Sequence, residues 1–484
     1  MLARLRNVGA ACALTAVLAG CAGTHGIAPQ ASLRDANALA AERTLASTTV
    51  APAAWPKSDW WTSFSDAQLN ALIAEALADS PTLNIAAART RKAMAIARAV
   101  HAAELPQVVG SASSTRQQYP RNALVPPPIG GSTQTVNALQ ATLAWEIDFW
   151  GRNRSASEAA LGVARAAEVD QRAAALALST GIALAYVELE RAYLQLDVAQ
   201  ATLAQRERIY ALTRDRSAAG LDSRLELKQA EAALPATREQ IAQLEERIAL
   251  ARNQIAALMG AGPDRGLAIA RPAATALTRI EIPASVPAEL IGRRPDVVAQ
   301  RWRIEAARRD IDVAKAAFFP NVDLLAFIGF QGLGGARLLT AASRTMGAGP
   351  ALTLPIFEGG RLRANLAASD AEYDIAVEHY NQTLADAMRD VVDQLASMRS
   401  LAAQRAEQKS ALAATREAYD LALLRYREGL GNYLQVLSAE QPLLIQQSLQ
   451  ADLDAREIEL SINLIRALGG GFAPSPALAA ANLP

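Results

Sequence analysis

The chain has 484 residues, 48 Lys+Arg balanced by 48 Asp+Glu, and is 51% hydrophobic with only 5% aromatic residues. Zero formal charge excludes a general nucleic-acid binder, which needs a basic excess to neutralise phosphates, and two cysteines exclude a disulfide framework or a cysteine-built zinc site. The apolar share is carried by Ala, Leu, Val and Ile, as in a helix-rich protein. Past the N-terminus no run of about 18 apolar residues is free of charge, so any membrane crossing falls to strands.

In chain order, Arg4 and Arg6 precede an apolar stretch from Val8 to Leu18, which reads as an export signal over residues 1–20. Leu18, Ala19, Gly20 and Cys21 resemble the lipobox of bacterial lipoproteins. That resemblance implies cleavage before Cys21, covalent diacylglycerol and palmitate on Cys21, and anchoring rather than spanning. Ala22 in place of Asp after the cysteine implies delivery to the outer membrane of a Gram-negative bacterium. Residues 21–54, rich in Ala, Ser, Thr and Pro, read as an acylated, extended tether.

The remainder is one unit written twice, 55–260 and 295–471, joined by a Pro/Gly-rich linker over 261–294 and followed by a tail, 472–484. Pro81 to Val108 and Pro295 to Val322 share a spacing of 214 residues, while Gly151-Arg152, Gly220-Leu221, Ala230-Glu231 and Gly260 each recur 209 residues later. A register held over more than a hundred residues marks a duplication. Each unit runs helix, two strands, two very long helices. The first helix lies between Pro81 and Pro106. Strands follow at about 107–119 and 135–149, where Leu139, Ala141, Leu143, Trp145, Ile147 and Phe149 alternate with Gln140, Thr142, Glu146 and Asp148. In the second copy they lie at about 321–331 and 346–357, through Val322 to Phe330 and then Leu352, Leu354 and Ile356. Segments of this length and alternation suit a transmembrane barrel. Helices are expected over 152–219, 221–259, 360–428 and 431–468, the first about 100 Å long. The first return helix repeats every seven residues, with Leu227, Leu234, Ile241, Ile248 and Ile255 at one position and Ala230, Leu244, Ala251 and Leu258 at its partner, a coiled-coil pattern. The second is looser, with Gln450 and Glu457 at matching places. Pro235 and Pro442 fall inside the return helices and should bend them near the tips.

Five strings carry a family resemblance: Trp60-Trp61; Arg293-Arg294-Pro295-Asp296-Val297; Ala316-Ala317-Phe318-Phe319-Pro320; Pro355-Ile356-Phe357-Glu358-Gly359-Gly360-Arg361-Leu362; and Arg425-Tyr426-Arg427-Glu428-Gly429. Between about Trp55 and Gly471 the chain resembles the TolC-like outer-membrane efflux ducts, in their nodulation-type lipoprotein branch. The resemblance implies a mixed α and transmembrane β fold: a homotrimer with a twelve-stranded β-barrel in outer-membrane lipid, continued by a periplasmic α-helical tunnel. It implies no energy source and no cofactor beyond the acyl groups. It also implies docking, through a periplasmic adaptor, on an inner-membrane pump, commonly proton-driven, for drugs or other small toxic compounds.

The hairpin tips, Arg214 to Glu226 and Arg425 to Gln435, are then the periplasmic gate, with Gly220 and Gly429 at turns needing positive φ. Tyr426 matches a tip tyrosine that in relatives holds the gate closed by hydrogen bonding. Gln435 and Ser438 stand where the family often has acidic residues that ring the pore, so Asp215, Asp222 and Glu226 are the candidates to supply that charge. Arg425 and Arg427 either pair with tip acids across protomers, contact the adaptor, or are plain surface charge. An enzyme is disfavoured: His25, His101 and His379 are isolated and no GxSxG, HExxH or GK[ST] pattern occurs. A lipid-anchored adaptor or structural coiled-coil protein is the remaining alternative, against which the duplicated strand pairs argue.

Overall fold

The computed structural model describes residues 24–35, 55–122, 125–273 and 292–474. The signal region, Cys21, most of the tether, the middle of the linker and the end of the tail lie outside the described residues.

A 3-10 turn, Trp60–Phe64, leads into α1 (Ala67–Asp79), which starts where Asp66 Oδ1 accepts the Leu69 N–H at 2.9 Å. Then come α2 (Pro81–His101), β1 (Gln107–Gln118), β2 (Thr133–Glu146), α3 (Arg152–Ala218), α4 (Arg224–Met259) and the short α5 (Pro263–Leu267) inside the expected linker. The second copy holds α6 (Pro295–Ala316), β3 (Asn321–Leu333), β4 (Arg344–Thr353), α7 (Arg361–Arg427) and α8 (Tyr433–Ala467). The duplication is visible in lengths: α3 and α7 both have 67 residues.

Several boundaries correct the sequence reading. The first helix stops at His101 and a 3-10 turn fills the gap, because Leu105, next to Pro106, is extended (φ −100°, ψ 151°). The apolar alternation overruns two strands. β2 ends at Glu146, so Ile147 and Phe149 lie in the turn into α3; β4 ends at Thr353, so Leu354 and Ile356 lie in the turn into α7. Trp150 of the first turn stacks on Phe319 at 4.5 Å and donates its indole N–H to the Pro320 carbonyl, an aromatic clasp between that turn and the end of α6.

The sheet is antiparallel throughout, in the order β1-β2-β3-β4. Its register puts Val108 opposite Leu143, Ala112 opposite Leu139, Leu139 opposite Phe330 and Ile328 opposite Met346, one continuous apolar face. Leu139, Ile328, Met346 and Leu352 are exposed in the protomer, and both edges are unpaired, an untenable surface for a soluble sheet. The long helices form a wall in the order α4, α3, α8, α7. In α4 the seven-residue stripe does face the wall: Ala230, Leu244, Ile248, Ala251 and Ile255 are buried. In α8 the pattern loosens because the helix has two partners: Leu453 and Leu460 meet α7, while Ala455, Ile458, Ile462 and Ile465 join the core around α3. Glu457, off that core, pairs with Arg405 of α7. Among the described helices α3 alone is long and apolar enough to cross a membrane, but half of its apolar stretch is buried inside the protein, as are Leu178, Ile182 and Tyr186.

The Arg-Arg-Pro-Asp string has a structural use. Arg294 is buried and bonds Asp296 (2.6 Å), Asp390 and the Ala467 carbonyl, tying the start of α6 to α7 and the end of α8. The expected free tether is, over 24–35, a docked strap. Asp374 accepts the N–H groups of Gln30 and Ala31 at 2.9 and 2.8 Å, Asn381 Oδ1 accepts that of Arg34, and Asn381 Nδ2 donates to the Ser32 carbonyl. Arg363, in the first turn of α7, donates to the His25 carbonyl, and Ile27 and Leu33 pack on the α6/α7 seam.

Candidate functional site

At the end of the wall remote from the sheet, α3 turns into α4 and α7 into α8 through the same geometry. Gly220 (φ 75°) and Gly429 (φ 74°) sit in left-handed turns, and the next N–H groups, of Leu221 and Leu430, bond back to the carbonyls of Arg216 and Arg425. α4 begins at Arg224, three residues later than its pattern suggests, because Ser223 and Glu226 close a capping box in which Ser223 N–H donates to Glu226 at 2.6 Å. Asn432 caps α8 through the Gln435 N–H at 3.1 Å.

Between the tips lies a polar lock. Tyr426, fully buried, donates from Oη to Asp222 Oδ2 at 2.5 Å and stands 2.8 Å from Thr213 Oγ1, which therefore donates to it. Arg216 holds Asp222 through Nε (3.0 Å) and Nη2 (3.3 Å), and its guanidinium lies 4.7 Å over the Tyr426 ring. The side chain of Asp222 is only 3% exposed. Tyr426 therefore ties α7 of the second hairpin to the tip of the first. Burial, followed by the hydrogen bond to Asp222, pushes the Tyr426 hydroxyl up to about 12, and the bond to Asp222 holds Arg216 above its usual range. Tyr433 lies 6.2 Å from Tyr426, and with Ile209, Ala230, Tyr419 and Val436 it completes an apolar plug drawn from all four long helices. One layer further from the tip, Arg206 of α3 pairs with buried Glu440 of α8 at 2.8 Å and donates to Thr237 of α4 at 2.9 Å.

The structure thus brings Tyr426 and Asp222 together but does not make a charged ring of the first-tip acids. Asp222 is neutralised by Arg216, Glu226 is spent on its cap, and exposed Asp215 pairs with neighbouring Arg214. Gln435 and Ser438 are exposed, and Arg425 reaches the Leu430 carbonyl of its own turn. Arg427 is exposed, without a partner among the described residues. Sequence reasoning missed Thr213, Arg216, Arg206, Glu440 and Thr237. Tyr419 and Tyr426, seven residues apart on α7, with Tyr433 just past the turn, were the signal that could have found this layer.

A protomer with an unclosed apolar sheet at one end and a wall of four long helices at the other is one segment of a membrane conduit. Residues 72–261 and 286–470 match the family described as outer membrane efflux protein, once for each copy of the repeat. The chain is 43% identical to the fusaric acid resistance protein FusA of Burkholderia cepacia over 74% of its own length and 68% of that protein's. It is 33% identical to the multidrug resistance outer membrane protein MdtP of Escherichia coli, over 88% of this chain and 89% of that one. Its structure matches that of the outer membrane protein VceC of Vibrio cholerae with a TM-score of 0.82 at 38% identity, covering 86% of this chain and all of that one. The chain belongs to the outer membrane efflux protein family. It is a TolC-like duct of the outer membrane, the channel of a tripartite efflux system, in a family whose members form trimers and work with adaptor proteins and inner-membrane pumps.

Proposed function

We propose that three copies of this chain close one twelve-stranded barrel and one helical tunnel, anchored by acyl chains on Cys21. The duct passively passes drugs or other small toxic compounds received, through an adaptor, from a proton-driven pump, and does no enzymatic work. Unpaired β1 and β4 edges support the trimer, since a barrel leaves no edge in lipid. The cargo class follows the names of FusA and MdtP, relatives of resistance to fusaric acid and to multiple drugs. The strap supports the anchor: His25 is held at the first turn of α7, just below the sheet, and the four peptide steps from Cys21 to His25 span at most about 14 Å. Acyl chains on Cys21 would thus meet the membrane at the barrel's lower rim. Exposed leucines repeated on both tips, Leu221 and Leu225, Leu430 and Leu434, offer an apolar surface to an adaptor.

The observation that carries the gating reading is the Tyr426–Asp222–Arg216 lock. Removing Asp222 leaves Arg216 and the Tyr426 hydroxyl buried without their acceptor, a loss of about 3–5 kcal/mol for a broken buried pair. Asp222→Ala is therefore expected to raise the conductance of the duct in a planar bilayer at least tenfold in open probability; a current like that of the parent protein would remove the lock from the gate.

A further inference from the structure

The barrel strands carry an unbalanced charge that no part of the gating account uses. From Leu105 to Trp145 and from Leu324 to Phe357 there is no Asp, Glu or Lys, yet there are four arginines: Arg116, Arg121, Arg337 and Arg344. All four lie at the end of the sheet away from the helices. Arg116 is near the outer end of β1 and Arg344 is the first residue of β4, while Arg121 and Arg337 sit in the two hairpin loops. The carboxylates nearest the sheet, Glu104, Glu146, Asp148, Asp323 and Glu358, all lie at the opposite, helical end.

Register fixes which way the strand arginines face. Arg116 stands opposite Thr135 and continues the row of Val108 and Ala112; Arg344 stands opposite Phe330 and continues the row of Met346 and Leu352. Both therefore belong to the apolar, lipid-facing side of the barrel, not to its lumen. All four side chains are exposed, and none has an ion-pair or hydrogen-bond partner among the described residues. β1 and β4 are the two edge strands, so closure sets β4 of one protomer beside β1 of the next, with an arginine on either side of each seam.

We propose that each seam, at the outer end of the barrel, binds the phosphate groups of a phosphorylated glycolipid of the outer leaflet, with Arg344 of one protomer and Arg116 of its neighbour as the primary contacts and the loop arginines Arg121 and Arg337 above them. Guanidinium forks suit phosphate oxygens, and at a lipid interface their long apolar stems lie along acyl chains while the head stays at the phosphate level. The absence of any carboxylate at this outer end of the strands and in the two hairpin loops leaves nothing to compete for them. Twelve such arginines per trimer would otherwise repel one another around a single rim.

This inference rests on the trimeric-barrel reading, and the experiment separates the two. The detergent-extracted trimer is titrated with bisphosphorylated lipid A and followed by native mass spectrometry. Expected are lipid adducts on the trimer, at least tenfold weaker for lipid A stripped of its phosphates and for the Arg116→Gln/Arg344→Gln double variant, with an unchanged reversal potential in bilayers. Equal binding of the stripped lipid to the parent trimer, equal binding by the double variant, or a changed ion selectivity of that variant overturns the site. A spectrum without trimers overturns the barrel reading itself.

Discussion

Tyr426 holds its place in the tip by two bonds of different kinds, a donated one to a buried carboxylate and an accepted one from Thr213. Losing the hydroxyl in Tyr426→Phe costs about 2 kcal/mol for a bond to a charged acceptor, roughly a 30-fold shift toward open tips. The same bond gives a pH signature. The closed tip holds the proton more tightly, raising the hydroxyl from 10.0 to about 12. Its contribution is complete below pH 10 and is lost as pH climbs to about 12, so the duct should open over that window. Tyr419, pushed up to about 12 by burial and then by Glu440, titrates in the same range, so the measurement is the difference between the parent protein and Tyr426→Phe. An identical alkaline profile in the two would assign the opening elsewhere. Tyr426 was legible in the sequence because the Arg425-Tyr426-Arg427-Glu428-Gly429 string resembles the tip of the family's second hairpin. Arg216 was not, and Asp222 was read as pore charge rather than as the partner of Tyr426: charges near a helix end look solvated, and only the second hairpin, more than 200 residues on, buries this pair.

The strap shows how a duplicated element acquires a single role. Asp374 and Asn381, which hold it on α7, correspond 209 residues earlier to Arg165 and Arg172 on α3. Two cations cannot accept the strap's N–H groups, so only the second copy binds it. Asp374→Arg, which writes the first copy into the second, should release the strap and make residues 24–35 several-fold faster to cut in limited proteolysis of the folded protein; unchanged cutting would deny Asp374 that role. At the tips, Ser223→Ala removes the box that starts α4, costs about 1 kcal/mol, and should lower the midpoint of thermal unfolding by a few degrees. Order, type and number of the long elements were readable because the proline and glycine signals repeat at fixed spacing in both copies. The strap was not, since its Ala, Ser and Pro composition says nothing of a partner far along the chain. The overrun strand ends have a different origin, because Ile147 and Leu354 line the cleft between barrel and helices and Phe149 and Ile356 are exposed in the turns beside it, rather than serving the ladder.

For the whole molecule, the protomer is incomplete at both ends. Its sheet exposes an apolar face and two edges, and its tips present leucines and a lock that closes one protomer's hairpins on each other. In the proposed trimer, threefold closure satisfies the edges, and the proposed lock would set the resting width of the tunnel mouth without a ring of carboxylates, since Asp222 is already neutralised and Gln435 and Ser438 carry no charge. The resting duct should accordingly discriminate only weakly between cations and anions at its tips. Single-channel conductance of the purified, detergent-extracted mature protein, with oligomeric mass taken on the same preparation, tests this most directly. A trimer giving small, mostly closed currents that enlarge in Asp222→Ala is the predicted result. A monomer or dimer that never conducts would contradict the account.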